Sequence, residues 1–170
     1  MVKNENDAER KAVALAWLFH LVGDIHQSLH TTQLFTVEYP TGDRGGNQIC
    51  VRVRRPMDLH RFWDDVITSS ANTTRLRNAA TEMRNRPGFA KSQLTELQDT
   101  NPDSWAKESF EIATKIAYRN GGRIGIPKGG NLDCTMVPAA PVLPMGYIVS
   151  ARRRIADRRI ILADTAWLIS

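Results

Sequence analysis

Histidine is scarce in this chain, and all four copies fall between positions 20 and 60. Two of them, His20 and His60, are each followed four residues later by an aspartate, Asp24 and Asp64. Residues i and i+4 share one face of a helix, one turn apart. Each His-x-x-x-Asp can therefore present an imidazole nitrogen and a carboxylate oxygen to one cation, a donor set that suits zinc. A lone pair of this kind is ordinarily a surface ion pair. Two pairs with a third histidine, His30, between them make a sharper pattern.

Spacing divides the candidate ligands. On a straight helix His20 and His30 would stand about 15 Å apart along the axis, too far for one ion. Either the two serve different metals or the helix ends between them, and Gly23, Gln27 and Ser28 are its weak points. One arrangement satisfies both conditions. His20 and Asp24 take one metal, and His30 joins His60 and Asp64 from another helix on a second. Three protein ligands with an open fourth position is the pattern of a catalytic zinc. Two metals about 3.5–4 Å apart clamp a phosphoester during hydrolysis. His26, six positions from His20, leaves the shared face and reads as a histidine that is structural or backs a ligand from behind.

The elements that must position these groups follow from the rest of the chain. At 170 residues, 42% hydrophobic and 24% charged, the chain has the size and composition of one globular domain with a real core. The run Ala12 to Val22 predicts a buried helix, too short to span a bilayer. Met1 to Arg10 is polar and has no apolar segment of a signal peptide. Thr36 to Tyr39 and Gln48 to Val53 alternate and carry β-branched residues, so with TGDRGGN between them a small hairpin is expected. Met57 to about Met83 reads as helical, capped by Asp58 and broken near Thr73 and Thr74. Trp63 is expected to pack. Ser92 to Asp99 predicts a short helix, and Asp103 to Arg119 a longer one capped by Asp103. Glu108, within it, reads as a structural carboxylate bonded to the ligand helices. Asn120 to Gly146 is rich in Gly and Pro and is expected to be a surface loop. Its PKGGN lacks the Gly-Lys-Ser ending of a phosphate loop. Tyr147 to Leu168 closes the chain as a helix whose five arginines are expected to form a solvated face. The net charge of +5 is compatible with a polyanionic substrate. Two cysteines, Cys50 and Cys134, are too few for a disulfide framework; one bridge is open to them in an exported protein, but free thiols are the expectation.

The segments GDIHQSLH, GDRGGN and LHRFWD, in this order and with this internal spacing, closely resemble the S1/P1 type of zinc-dependent single-strand nucleases. That family shares its fold with zinc-dependent bacterial phospholipase C. The resemblance extends from about Arg10 to Trp167, with its specific blocks in the first half. It implies an all-α fold with a small β excursion, and a single domain over residues 1–170 that is the C-terminal portion of the family fold, N-terminally truncated. It implies that His20 and Asp24 ligate one zinc, that His30, His60 and Asp64 ligate a second, and that Asn47 lies near the substrate. Gly45 and Gly46 then permit the turn and the close approach of its backbone. Intact members hold up to three zinc ions. The part before this helix supplies their remaining ligands and the presumed activator of the attacking water, so one well-formed zinc site is expected here, and no catalytic acid or base is assigned. The implied activity is endonucleolytic hydrolysis of phosphodiester bonds in single-stranded DNA and RNA, with 3'-nucleotidase activity. A zinc-binding remnant without turnover is the alternative. Family members are typically secreted or periplasmic. A monomer acting on nucleic acid or nucleotides is expected, without membrane attachment.

Overall fold

The computed structural model describes residues 6–68, 70–130 and 132–166. It is mainly helical, with one small antiparallel sheet. Helix α1 spans Ala8–His26 and starts where the Asp7 carboxylate accepts from the amides of Glu9 and Arg10 at 3.0 and 3.1 Å. It stops at Gln27, whose extended backbone (φ −82°, ψ 115°) breaks the helix while its N–H still bonds back to Gly23 and Asp24. The helix thus ends between His20 and His30, one of the two arrangements their spacing allowed. A 3-10 turn, Ser28–Thr31, follows at once.

The apolar run of α1 is not buried as the sequence predicts. Val13, Trp17 and Leu21 form an i, i+4, i+8 stripe that is more than half exposed (54, 60 and 57%). Only the C-terminal end of α1 is covered, where Val22 packs with Trp105, Leu18, Ile25 and Ala163. Apolarity alone does not bring a packing partner, and among the described residues none lies over that stripe.

Strand β1 (Ile49–Arg52) is central in the sheet order β2-β1-β3, with β2 at Pro56–Asp58 and β3 at Ile126–Pro127. Cys50 lies opposite both Asp58 and Ile126. The expected hairpin with residues 36–39 does not form. Those residues make a bend, and the segment folds around the Asp43 side chain instead of pairing as a ladder. The expected loop over 120–146 is also interrupted, because β3 pairs with β1 and Cys134–Met136 forms a 3-10 turn.

Strand alternation sends Ile49 and Val51 into the main core with Leu29, Leu59, Phe62 and Trp63. Cys50 faces the other way, into a small cluster with Cys134 and Ala140. There Cys50 and Cys134 form a disulfide, with their Cα atoms 5.4 Å apart. The expectation of free thiols is overturned: pairing depends on β3 carrying the downstream loop back over β1, which spacing alone does not reveal. The bond joins residues 84 apart in sequence, and chain-entropy arguments give such a closure about 4–5 kcal/mol.

Helix α2 (Leu59–Asp65) is capped by Asp58, which accepts from Arg61 N at 2.7 Å. Residues 66–72 separate it from α3 (Thr73–Arg84). The short helix expected at 92–99 is instead two 3-10 turns, Lys91–Gln93 and Thr95–Gln98. Helix α4 (Pro102–Ile112) is capped by Asn101, not Asp103. Pro102 occupies the first turn and the Asn101 side chain accepts from Asp103 N at 3.0 Å. This helix runs on as a π-helical segment, Ala113–Ala117. The last helix also has three parts: α5 (Met145–Val149), a π-helical segment Ser150–Ala156, and α6 (Asp157–Ala166). Trp63 packs as expected, its indole N–H donating to the Tyr147 hydroxyl at 2.9 Å.

The five arginines of this last helix do not form one solvated face. Arg152, Arg153 and Arg154 are exposed. Arg158 makes a two-pronged pair with Glu96 at 2.7 and 2.6 Å. Arg159 is buried and donates to the His26 carbonyl, the Ser109 hydroxyl and Glu108. Arg159 therefore ties α6 and α4 to the end of α1, and Glu108 is structural as expected, but its bond is to Arg159 of the last helix and not to the ligand helices. Among the described residues no helix is long and apolar enough to cross a membrane.

Candidate metal centre

Three local decisions bring the ligands together. The end of α1 at Gln27 lets the 3-10 turn swing His30 back toward Asp24. The Asp58 cap starts α2 so that His60 and Asp64 share one face. The Gly45-Gly46 turn runs against His60. Gly45 and Gly46 adopt φ of +62° and +89°, which glycine accepts without strain. A Cβ at Gly45 would lie 2.6 Å from the Leu29 carbonyl, so this close approach excludes any larger residue.

All five predicted ligands form one continuous cluster. Asp24 Oδ2 lies 3.1 Å from His20 Nε2, and its Oδ1 lies 3.2 Å from His30 Nδ1. His30 Nε2 and His60 Nε2 are each 3.6 Å from an oxygen of Asp64. The His30 and His60 rings stack at 4.9 Å with planes 9° apart. Within the cluster, His30, His60 and Asp64 each offer one ligand atom, and these atoms lie within 4.8 Å of one another. His20 is the most exposed member, its side chain 62% accessible. Asn47 is tied to its own turn, its amide donating to the Arg44 carbonyl at 2.8 Å.

The hydrogen bonds behind this set favour a cation. His60 Nδ1 donates to the Gly45 carbonyl at 2.8 Å, which leaves the Nε2 lone pair facing Asp64. Asp24 takes the same role toward His30, through Nδ1. A histidine whose far nitrogen is held by a carbonyl or carboxylate is the usual form of a metal-bound imidazole. Gln27 donates to Asp64 Oδ1 at 2.8 Å while its own carbonyl oxygen accepts from Leu29 N at 2.6 Å. Two such nitrogens and one carboxylate fit zinc.

Electrostatics point the same way. The hydrogen bond with Asp64 raises the His30 pKa; burial opposes this, and Asp24 adds to the rise. Burial pushes the Asp64 carboxyl up, but hydrogen bonds from His30 and Gln27 outweigh it and hold it below the usual carboxylate range. The cluster thus concentrates negative charge around nitrogen donors, which a divalent ion neutralises.

Two clefts meet at this cluster. One, of about 280 Å³, is mostly apolar and runs behind Asp24, His30 and Asp64 along Trp63, Ile155 and Ile160. The other, of about 370 Å³, is bordered by His30, His60, Gln33 and Arg44. Arg44 is exposed and stands in the left-handed region at φ 57°, unusual for a residue with a side chain.

Sequence reasoning missed the supports. Asp43 is fully buried and its carboxylate accepts four hydrogen bonds, from the amides of Leu34, Gly45 and Gly46 and from the Tyr118 hydroxyl. Its signal was present in the Gly-Asp-x-Gly-Gly string, since aspartate bonding to backbone a few residues on is common turn chemistry. The glutamine of the His-Gln-Ser-Leu-His string carried a similar signal for Gln27.

His26, read as structural, is buried against Trp105 with ring centroids 5.3 Å apart, and its Nδ1 donates to the Val22 carbonyl at 2.8 Å. Burial, helped by the nearby Arg159 charge, lowers its pKa from 6.5 to about 4. The folded value is the lower one, so His26 leaves stability intact above pH 6.5 and erodes it as pH falls toward 4. The expected loss is at most about 3 kcal/mol. Urea unfolding in chelator between pH 7.5 and 4 is expected to show this slope, and His26→Gln to flatten it. Equal slopes for the two proteins would remove His26 as the cause.

A family model described as S1/P1 nuclease matches residues 1–163. Over 121 residues the chain is 37% identical to Endonuclease 4 and 36% identical to Endonuclease 3 of Arabidopsis thaliana, in each case across 63% of this chain and 38% of the relative. It is 31% identical over 133 residues to Endonuclease 2 of the same plant, across 71% of this chain and 41% of the relative. The chain thus spans about two fifths of the length of the curated relatives it matches. No solved structure gives a significant match.

Proposed function

The chain belongs to the S1/P1 nuclease family, and from that premise we propose that it carries the His30–His60–Asp64 zinc site of a nuclease acting on single-stranded DNA and RNA. The same site would serve 3'-nucleotidase activity on nucleotides. The supporting observation is the convergence of His30, His60 and Asp64 within 4.8 Å, each with its rear held: His30 by Asp24, His60 by Gly45, Asp64 by Gln27. The relatives are named endonucleases, which supports a phosphodiester substrate.

Bound there, zinc supplies Lewis acidity toward a phosphoryl oxygen. The chain's residues do the rest of the positioning. The Gly45 carbonyl fixes the tautomer and plane of His60. Gln27 prevents Asp64 from rotating away. Arg44 at the polar cleft offers a guanidinium to the phosphate, a match of planar donors to anionic oxygens. His20 and Asp24 give a first zinc site two donors, so that site is weak without further ligands. The Cys50–Cys134 disulfide fits an oxidising compartment and supports export.

A second reading is a zinc-binding unit without turnover. It is favoured by the finding that among the described residues one trio of ligating groups lies close enough to hold an ion. Incubation of the zinc-loaded 170-residue chain with a labelled single-stranded oligonucleotide decides between them. Cleavage that EDTA abolishes and zinc restores is expected. Zinc retention without cleavage establishes the second reading, and a chain that binds no zinc overturns both.

A further inference from the structure

We propose that the groove between the end of α3 and the π-helical part of the last helix binds the backbone of a single nucleic-acid strand, with Arg152 and Arg153 on phosphates and Phe89 under a base. The choice of ligand class rests on the nuclease reading above. The groove has a volume of about 520 Å³ and is lined by Glu82, Arg86, Phe89, Arg152, Arg153 and Asp157.

Charge in the groove is unevenly used. Arg86 is paired with Asp157 and also reaches Glu82 at 3.4 Å. Arg158 and Arg159, one turn further along the last helix, are both paired. Arg152 and Arg153 are exposed and make no ion pair or side-chain hydrogen bond with any described residue. Within the groove they are the cations that no described residue neutralises. Phe89 is half-buried and packs against the cluster of Met83, Leu94, Ile161 and Leu162. A ring backed in this way can stack a base without losing much freedom.

Placement ties the groove to the metal ligands. Arg152 and Arg153 lie in the π-helical segment Ser150–Ala156, a rare backbone form that recurs at functional sites. Ile155 and Ala156 of the same segment line the cleft behind His30 and Asp64. A helix is about 10–12 Å across with its side chains, so a strand running from that cleft over the segment to the groove spans more than one nucleotide.

The test is fluorescence anisotropy of labelled oligothymidylates of two and twelve nucleotides, in EDTA, from 50 to 200 mM salt, with the whole chain and its Arg152→Ala/Arg153→Ala variant. The twelve-nucleotide affinity is expected to fall about ten- to thirtyfold at 0.1 M salt, with the slope of log K against log salt shallower by about 1.4, two phosphate contacts on a single strand. The dinucleotide, whose single internucleotide phosphate meets only one of the two arginines, is expected to bind the parent chain far more weakly than the twelve-nucleotide strand. Phe89→Ala is expected to weaken the twelve-nucleotide strand at every salt concentration without changing the slope. An unchanged slope and affinity in the double variant, or no strand binding by the parent chain, overturns the proposal. An equal loss of affinity for duplex DNA overturns its single-strand character. Binding is read without metal, so failed cleavage in the earlier experiment would remove the nuclease reading and leave the groove standing or falling alone.

Discussion

Replacing His60 by alanine is expected to lower zinc affinity by more than a hundredfold and to abolish cleavage in any active preparation. Its Nε2 is one of three donors within 4.8 Å of each other. The ring is also the member most firmly held, clamped between the Gly45 carbonyl at 2.8 Å and the stacked His30 ring. Loss of the groups that merely orient a ligand costs about 10- to 100-fold in metal affinity, so loss of the ligand itself should exceed that. His20→Ala is the internal comparison. His20 lies outside the trio and touches it only through Asp24, so its loss should cost no more than about tenfold. Zinc per chain after dialysis, with circular dichroism to verify folding, measures both. Unchanged zinc content in His60→Ala would sink the assignment of the site.

Replacing Asp43 by alanine is expected to destabilise the fold by about 3–5 kcal/mol, although Asp43 touches no proposed ligand. The carboxylate is fully buried and pairs with no cation among the described residues; four donors surround it at 2.8–3.1 Å. Removing it leaves those donors unsatisfied in the interior, at about 1–3 kcal/mol for each that finds no water. Asp43→Asn keeps one acceptor but points an amide at the Gly46 N–H or the Tyr118 hydroxyl, so it should remain clearly destabilising. Tyr118→Phe removes one donor and should cost about 1 kcal/mol. The loop that Asp43 organises also presents the Gly45 carbonyl to His60, so zinc affinity is expected to fall in Asp43→Asn even where the protein stays folded. Urea unfolding gives the stability order, and a loss below 1 kcal/mol for Asp43→Ala would refute this account of the loop.

These two residues mark the boundary between what was legible in the sequence and what was not. His60 and Asp64 were readable because their relation is local: four residues on a helix capped by Asp58, with the period of the helix setting the geometry. The break before His30 was legible only as one of two alternatives, since a straight helix also lets His20 and His30 serve different metals. His26 and Glu108 were correctly read as structural, but their common partner was not, because Arg159 lies 133 and 51 residues away from them. Periodicity placed Arg159 on a solvated face; the packing of α6 against α1 and α4 buried it.

The errors share that cause. The disulfide, the sheet order and the bend in place of a hairpin all depend on contacts distant in sequence. Cys50 meets Cys134 only because β3 returns to β1. The segment at 36–39 has strand-like residues, yet Asp43 draws the backbone into a loop whose amides it satisfies. The apolar stripe of α1 is a converse case. Composition fits it for burial, but burial requires an opposing surface, and the described residues do not provide one.

By itself the sequence determined the family and singled out the candidate ligands with the helices that carry most of them, because residue type and spacing along a helix are local properties. Only the tertiary structure decided which donors share one centre, which hydrogen bonds orient them, and which charges remain free. Those depend on distances between segments that the chain brings together from far apart, and no local pattern encodes them.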